Sequence, residues 1–381
     1  MNTVFNFELN FSKSYGSYAF DDLSGKLFFD AFMMYSALPL GYNHPIFDEN
    51  FMKSVCSIAP QKVSNSVFSY SEINRFVSEI SATSGLSNVH LCSTGALAVE
   101  SAIKSALYKH AGGRNQILSL NNGFHGVNSW GFTTDRSASF ARKRLEFFPD
   151  LQWPRVDIGD LCAYLSALEN VSNTAAFLFE PIQCTAGDIY VSTEVLKEAR
   201  NICARHDICF IADEIQTGMG TTGDFWRSQA DGLNPDVIIF GKKSQVSGVM
   251  ANNAYAGIMQ NPNQILSVTF DGDLIDVVRG AYVFKAIEKY SLLRNVAEKS
   301  KKLQNLVGKL LLNYRSIGGL VAFDFANGDE RNKFAEIAFK NYLLVNRTGE
   351  KTVRIRLNLA IKDSEIDDLA ERIIKSIKAM K

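Results

Sequence analysis

The sequence predicts an α/β fold in which a mostly parallel central sheet is covered by helices on both faces. Short apolar runs at 209–212 and 237–240 are each followed closely by ionisable side chains of types that take part in catalysis. A strand-like run at 174–180 is followed by an amphipathic helical pattern at 195–206 and then by the run at 209–212. Strand, helix and strand in succession imply right-handed crossovers and hence parallel strands in one sheet.

The segment before this sheet is predicted to be antiparallel and then irregular. Residues 17–30 place turn residues between two apolar runs, which is typical of a hairpin. Residues 31–45 end in LGYNHP, where glycine, asparagine and proline favour an irregular loop. Residues 46–86 have a mostly helical pattern, with an amphipathic run that ends near Gly85.

A strand, turn and helix at 88–110 give the first indication of a phosphate site. The apolar residues 89–92 are followed by a tight turn and by a helical pattern from Ala96. Such a turn presents backbone N–H groups and the positive helix end to an anion, although an ordinary strand-to-helix connection has the same pattern. The next strand, 116–120, leads to GFHG, where Phe124 is either a core residue or a ring that stacks on a planar ligand.

Asp213 and Lys242 follow two of the predicted parallel strands. The carboxyl ends of such strands meet at one edge of the sheet, so a carboxylate and an amine there can face a common ligand. A lysine in this place is a candidate for Schiff-base formation. Glycines at 218, 220 and 223 match the dinucleotide fingerprint GxGxxG, but five residues separate the first of them from the strand and no long helical pattern follows. We therefore interpret them as a loop.

The chain of 381 residues is long for one core, which predicts a large domain with a smaller partner. We place the large, ligand-binding domain at 49–274 and a small domain at 1–48 and 275–381. The small domain combines a helical stretch at 280–312 with strands at 320–325, 343–346 and 353–359, a helix at 330–342 and a closing helix from Ser364.

Composition favours a small-molecule ligand. Forty basic and forty acidic residues balance, so no overall field favours nucleic acid or a membrane surface. The six cysteines form no CxxC pair. Two clusters could hold a metal in principle: His90 with Cys92, and His206 with Cys203 and Cys209. Both clusters fit apolar core segments better than a metal site. No metal is expected. The N-terminal residues lack a secretory pattern, and we expect a cytoplasmic protein.

The order of several motifs resembles the class III pyridoxal-phosphate aminotransferases of fold type I. These motifs are STGALAVESAIK (93–104), FHG (124–126), EPIQ (180–183), DEIQTG (213–218), DVIIFGK (236–242), TF (269–270) and LVNRTG…VRIRL (344–357). They span nearly the whole chain, and GALAVE with FGKKSQVSGVMA is similar to the lysine ε-aminotransferase branch. The resemblance implies pyridoxal 5′-phosphate (PLP) as cofactor and a homodimer with shared active sites.

The resemblance also implies residue roles. Lys242, with Lys243 as its rival, matches the lysine that binds the cofactor covalently and moves the substrate proton, and Asp213 matches the carboxylate that pairs with the pyridine nitrogen. We expect Lys243 to point to the other side of an extended backbone. The resemblance further implies that Gln216 and Phe124 contact the cofactor ring. The N–H groups of Gly95 and Ala96 would bind its phosphate, together with Thr269 from the neighbouring subunit.

Three positions bear on the substrate. The chain has Val127 where the lysine branch has a carboxylate-binding arginine, and Thr185 where many relatives have a glutamate that pairs with a switchable arginine. Arg354 matches that arginine, and we hypothesise that it binds a substrate carboxylate and that the amine acceptor is not lysine. The alternative is an exposed strand arginine paired with a nearby carboxylate. The expected reaction is ping-pong transamination between an amino acid or keto acid and an amine or aldehyde; an aminomutase or racemase is the alternative.

Overall fold

The computed structural model describes residues 4–65, 67–128, 130, 151–261 and 263–380. Its strands are numbered in chain order as follows: β1 Leu9–Tyr15, β2 Tyr18–Asp21, β3 Lys26–Asp30, β4 Asn88–Cys92, β5 Gln116–Leu120, β6 Arg155–Val156, β7 Thr174–Phe179, β8 Ile182–Gln183, β9 Ile189–Tyr190, β10 Cys209–Asp213, β11 Val237–Phe240, β12 Ser247–Ala251, β13 Leu312–Ile317, β14 Leu320–Asp324, β15 Leu343–Leu344, β16 Asn346–Thr348 and β17 Thr352–Arg356.

A seven-stranded sheet with the order β4-β12-β11-β10-β7-β5-β6 forms the centre of one compact unit. Strands β11, β10, β7, β5 and β6 are parallel, and β4 runs the same way because β12 is antiparallel to both of its neighbours. The mostly parallel sheet is confirmed. Strand β12 was not predicted, since SGVMA is short and its Gly248 is a weak strand former. A Cβ on Gly248 would lie 2.5 Å from the His90 carbonyl, so close strand approach requires the glycine.

Helices cover this sheet on both faces, as predicted. The helix Gly95–Lys109 buries small and branched side chains against one face, in a cluster with residues such as Ile211 and Ile239. The helix Thr193–Arg205 packs against the other face with Phe177, Phe179 and Phe210. Alternating residues of the same strands thus supply two separate cores, because successive side chains of a strand point to opposite faces.

The other helices of the described chain are mostly amphipathic. Those of at least six residues are Glu49–Ile58, Ser71–Ser84, Leu161–Ser166, Leu168–Asn173, Leu274–Lys289, Leu292–Val307, Gly328–Lys340 and Asp363–Lys378. The helical stretch predicted at 280–312 is interrupted, since one helix ends at Lys289 and the next begins at Leu292, with Ser291 left-handed at φ 50°. None of the described helices has the length and apolar character that crossing a membrane requires.

The second compact unit contains the residues up to Asn50, Gly220–Gly223 and the residues from Lys285 onward. It holds two four-stranded sheets, with the orders β1-β2-β3-β15 and β13-β14-β17-β16. The predicted hairpin at 17–30 is present as β2 and β3, and β1 is a strand that the pattern did not predict. The first unit covers Phe51–Met219 and Asp224–Phe284. The domain boundaries placed at 48 and 275 remain a prediction.

The predicted loop at 31–45 contains a left-handed turn. Met33, Met34, Tyr35 and Ser36 all have positive φ, between 48° and 76°. The buried carboxylate of Asp30 accepts hydrogen bonds from the N–H groups of Phe32 and Met33, both at 2.8 Å, which anchors the start of the turn. Left-handed conformations cost L-residues about 1–2 kcal/mol each, so this turn stores strain that its surroundings must offset.

Candidate active site

Polar side chains gather at the carboxyl edge of the seven-stranded sheet. Asp213 is the last residue of β10, Glu180 follows β7 directly, and Lys242 lies two residues beyond the end of β11. The loop that follows β5 brings Phe124 and His125 to the same edge. Because β5, β7, β10 and β11 are adjacent and parallel, their ends deliver these groups to one region.

Asp213 is held in a fixed orientation by two neighbours. Its side chain is 5% exposed, and its Oδ2 lies 2.9 Å from Nδ1 of the buried His125. Its Oδ1 accepts a hydrogen bond of 3.1 Å from the backbone N–H of Ile215. A carboxylate has about four lone-pair positions, so these two contacts leave it able to accept a further N–H from a ligand. His125 Nε2 is also buried and has no hydrogen-bond partner among the described residues, which is consistent with a polar ligand nearby.

Glu180 is a second buried carboxyl beside Asp213. Its Oε1 accepts a hydrogen bond of 2.8 Å from the backbone N–H of Phe124. Burial raises the pKa of Glu180 to about 7; the negative charge of Asp213 adds to the increase, whereas His125 and the N–H groups of Phe124 and Cys184 oppose it. Neither His125 nor Glu180 was assigned a role from the sequence. Their positions could have indicated a role, because Glu180 directly follows β7 and His125 lies in the loop after β5.

The start of the helix Gly95–Lys109 forms an anion-binding cradle. The Thr94 hydroxyl accepts from Leu97 N, and helix geometry leaves the N–H groups of Gly95 and Ala96 without an acceptor inside the helix. A Cβ on Gly95 would lie 2.9 Å from Cδ1 of Ile215, so glycine allows the helix start to approach the turn after Asp213. Gly126, at φ 103°, would place a Cβ 3.1 Å from Cβ of Ala96.

Lys242 begins a tight turn rather than continuing an extended strand. Residues Lys242–Ser244 form a short 3₁₀ helix, and Lys242 itself is left-handed at φ 50°. The expectation that Lys243 lies on the opposite side of an extended backbone is therefore wrong in its premise. Lys243 is only 1% exposed, whereas Lys242 is partly exposed. A Cβ on the preceding Gly241 would lie 3.5 Å from Cγ1 of Ile215, which places this turn beside the helix start and the Asp213 turn.

The remaining predicted residues lie in different surroundings. Gln216 is half-buried within the turn that follows Asp213, and Thr185 is half-buried beyond β8. Val127 is exposed and follows Gly126. Thr269 is exposed, and the carbonyl of its neighbour Phe270 accepts a hydrogen bond of 2.8 Å from Ser93 Oγ, near the helix start.

Arg354 lies on β17 in the other compact unit. Its side chain is 5% exposed, so the alternative of an exposed strand arginine is wrong. The rejection of a dinucleotide fingerprint is confirmed: Gly218, Gly220 and Gly223 form turns, and the following helix, Arg227–Ala230, has four residues.

Comparison with known proteins identifies the family to which this arrangement belongs. The family described as "Aminotransferase class-III" matches residues 2–377. An L-lysine-epsilon aminotransferase from Amycolatopsis lactamdurans is 30% identical, covering 97% of this chain and 91% of the relative. An ornithine aminotransferase from Staphylococcus carnosus is 29% identical over 93% and 90%. The lysine aminotransferase from M. tuberculosis, solved in the internal aldimine form, superposes with a TM-score of 0.92 at 27% identity, covering 100% and 97%.

The chain therefore belongs to the class III aminotransferases. It has the fold of the type I PLP-dependent transferases, and it is a PLP-dependent aminotransferase. The residues at the sheet edge fit this cofactor: an oriented buried carboxylate, a lysine just beyond an adjacent strand end, and a helix start whose N–H groups can bind a phosphate.

Proposed function

We propose that the enzyme transfers an amino group between an amino acid or keto acid and an amine or aldehyde by a ping-pong mechanism. The observation that carries the proposal is the convergence of Asp213, the Gly95 helix start and the Gly241–Lys242 turn around Ile215. Bound PLP supplies an electron sink that stabilises negative charge on the substrate carbon. Lys242 would hold the cofactor covalently, and its freed Nζ would take the proton from that carbon and deliver it to C4′ of the cofactor, as transfer of the amino group requires.

The other groups hold the cofactor. Asp213 keeps the pyridine nitrogen protonated, and His125 orients that carboxylate through Nδ1. By the family resemblance, Phe124 would stack on the ring and Gln216 would contact its phenolic oxygen. The N–H groups of Gly95 and Ala96 bind the phosphate at the positive end of their helix.

A homodimer with shared sites is part of the proposal, with Thr269 contributed to the phosphate by the neighbouring subunit. The support is a group of exposed apolar side chains in and beside the segment of Thr269, namely Ile265, Val268 and Phe270. Exposed apolar groups of this kind favour association with a partner.

The six cysteines are all free thiols, which agrees with a reducing compartment such as the cytoplasm.

Lys242→Ala is the direct test of the catalytic assignment. The variant should lose the cofactor linkage that borohydride traps and at least 99% of transamination, which corresponds to a loss of about 100-fold or more. Lys243→Met is the matched control, because it removes the neighbouring amine while keeping an unbranched side chain in a buried position. If Lys242→Ala still traps the cofactor with borohydride, or if trapping is lost only in the Lys243 variant, the assignment of the linkage to Lys242 is wrong.

A half-reaction separates transamination from an aminomutase or racemase. Enzyme mixed with an amino donor alone should accumulate one equivalent of keto acid, and the bound cofactor should change its absorbance. A racemase leaves the amino group on its substrate and a mutase returns it to the same molecule, so no stoichiometric keto acid accumulates. Repeating this measurement over a panel of donors identifies the substrate.

Arg354 is proposed to bind a substrate carboxylate, with Val127 and Thr185 shaping the space for the second substrate. Arg354→Ala should raise the KM for glutamate or 2-oxoglutarate by about tenfold or more, because a bidentate ion pair is lost. Arg347→Ala, an exposed arginine on β16, is the control and should leave KM unchanged. An unchanged KM in Arg354→Ala would reject the role.

A further inference from the structure

Glu180 is a buried carboxyl at the cofactor site to which the proposed mechanism gives no task. It lies immediately after β7, and its side chain is 5% exposed. Its Oε1 accepts from the backbone N–H of Phe124, and the N–H of Cys184 also acts on it. A carboxyl buried to this extent is costly unless its hydrogen bonds offset the lost hydration. The cost of burying the Glu180 carboxyl is therefore offset at least in part by its hydrogen bond to the backbone of Phe124.

That contact places Glu180 and Asp213 in parallel roles. Phe179 pairs with Ala212 in the sheet register, so the next residues, Glu180 and Asp213, lie at the same level of neighbouring strands. Asp213 holds the ring of His125, while Glu180 holds the backbone of Phe124, the residue just before it. Two adjacent residues of one loop are thus fixed by carboxyls from two adjacent strands.

We propose that Glu180 is a positioning residue, which sets the place of the Phe124 ring against the cofactor and makes the strength of cofactor binding depend on pH. This rests on the proposed stacking role of Phe124. Ionised Glu180 accepts more strongly from the N–H of Phe124, and it adds negative charge on the side of the site where Asp213 lies. Both effects favour a cofactor with a protonated ring nitrogen. Cofactor affinity should therefore rise with pH through the titration of Glu180.

The charged groups that act on Glu180 are His125, from the loop after β5, and Asp213, at the end of β10. Both remain in a Glu180→Gln variant, as do the ionisations of the cofactor itself. A pH effect that disappears in this variant therefore belongs to Glu180. Gln183 offers a matched control, since its Nε2 donates a bond of 2.7 Å to Asn121 O in the same loop but carries no titrating group.

The test measures the dissociation constant of PLP from reconstituted apoenzyme between about pH 6 and 8, together with the circular dichroism of the bound cofactor, which reports its stacking. Wild type should bind more tightly as pH rises. Glu180→Gln should show a flatter profile, and Glu180→Ala should bind about tenfold or more weakly with a reduced dichroic band. Gln183→Ala should lower the melting temperature while keeping the wild-type pH profile.

Two results would overturn the proposal: a wild-type pH profile in Glu180→Gln, or wild-type PLP affinity and dichroism in Glu180→Ala. Phe124→Ala distinguishes this failure from failure of the site assignment. If Phe124→Ala leaves affinity and dichroism unchanged, the stacking role itself is wrong, whatever the Glu180 variants show. If Phe124→Ala weakens both and the Glu180 variants do not, only the role of Glu180 is rejected.

Discussion

Ile215 is the side chain around which three backbone segments of the site meet. Its Cδ1 would lie 2.9 Å from a Cβ on Gly95, and its Cγ1 3.5 Å from a Cβ on Gly241. Its backbone N–H donates to Asp213 Oδ1. One branched side chain thus sets the distance of the phosphate cradle and of the lysine turn from the carboxylate, which is the kind of support that a precise site requires.

Gly95→Ala should disturb this spacing, and Ile215→Val should partly restore it by removing Cδ1. We expect Gly95→Ala to weaken PLP binding and to lower the melting temperature of the apoenzyme, because a contact of 2.9 Å between carbon atoms is too short. The two substitutions should show a favourable coupling of about 0.5–2 kcal/mol in a double-mutant cycle. Strict additivity of the two effects would mean that Ile215 does not limit the approach of the helix.

At the scale of elements, the strands and helices of the central sheet were largely predictable. Buried parallel strands are continuous apolar runs, so β7, β10 and β11 were recognised, and with them the positions of Asp213 and Lys242. Strand β12 was missed because its pairing with β11 and β4, not its own composition, makes it a strand. The contact between Glu180 and Phe124 was missed because it joins residues 56 positions apart.

The left-handed turn Met33–Ser36 was also beyond prediction, since no glycine marks it and its conformation depends on Asp30. Met34→Gly should raise the melting temperature of the apoenzyme, by an amount that corresponds to about 0.5–1 kcal/mol, because glycine adopts positive φ without strain. Met52→Gly is the control: Met52 is similarly exposed but lies in a right-handed helix, where glycine costs about 1 kcal/mol. Destabilisation by both substitutions would show that the Met34 turn is not strained.

For the whole molecule, buried carboxyls should decide how stability depends on pH. The chain has no formal net charge at pH 7, so general charge repulsion is small. Burial raises the pKa of Asp30, Glu180 and Glu214. Burial alone would also raise the pKa of Asp324, but hydrogen bonds from Thr352 and Arg315 outweigh it and lower that pKa. The three carboxyls with a raised pKa and Asp324 therefore change the stability of the folded state in opposite directions as pH changes.

A carboxyl whose pKa is raised in the folded state stabilises that state below its unfolded pKa, and this contribution is lost as pH rises through the folded pKa. Apoenzyme should therefore become less stable between about pH 5 and 8. Asp324 acts in the other direction, and its contribution is lost as pH falls below about 4. The melting temperature of the apoenzyme should consequently pass through a maximum on the acidic side of neutrality.

Glu214→Gln tests the sign of this dependence with one residue. The Glu214 carboxyl accepts from the Thr217 hydroxyl at 2.5 Å and from the N–H groups of Arg227 and Ser228 at 3.1 and 2.6 Å. The glutamine cannot ionise, so its melting temperature should fall less than that of wild type as pH rises above the usual pKa range of a glutamic acid. Glu298→Gln, at an exposed position on the helix Leu292–Val307, should follow wild type. An equal fall in wild type and Glu214→Gln would mean that Glu214 has the same proton affinity in the folded and unfolded chains.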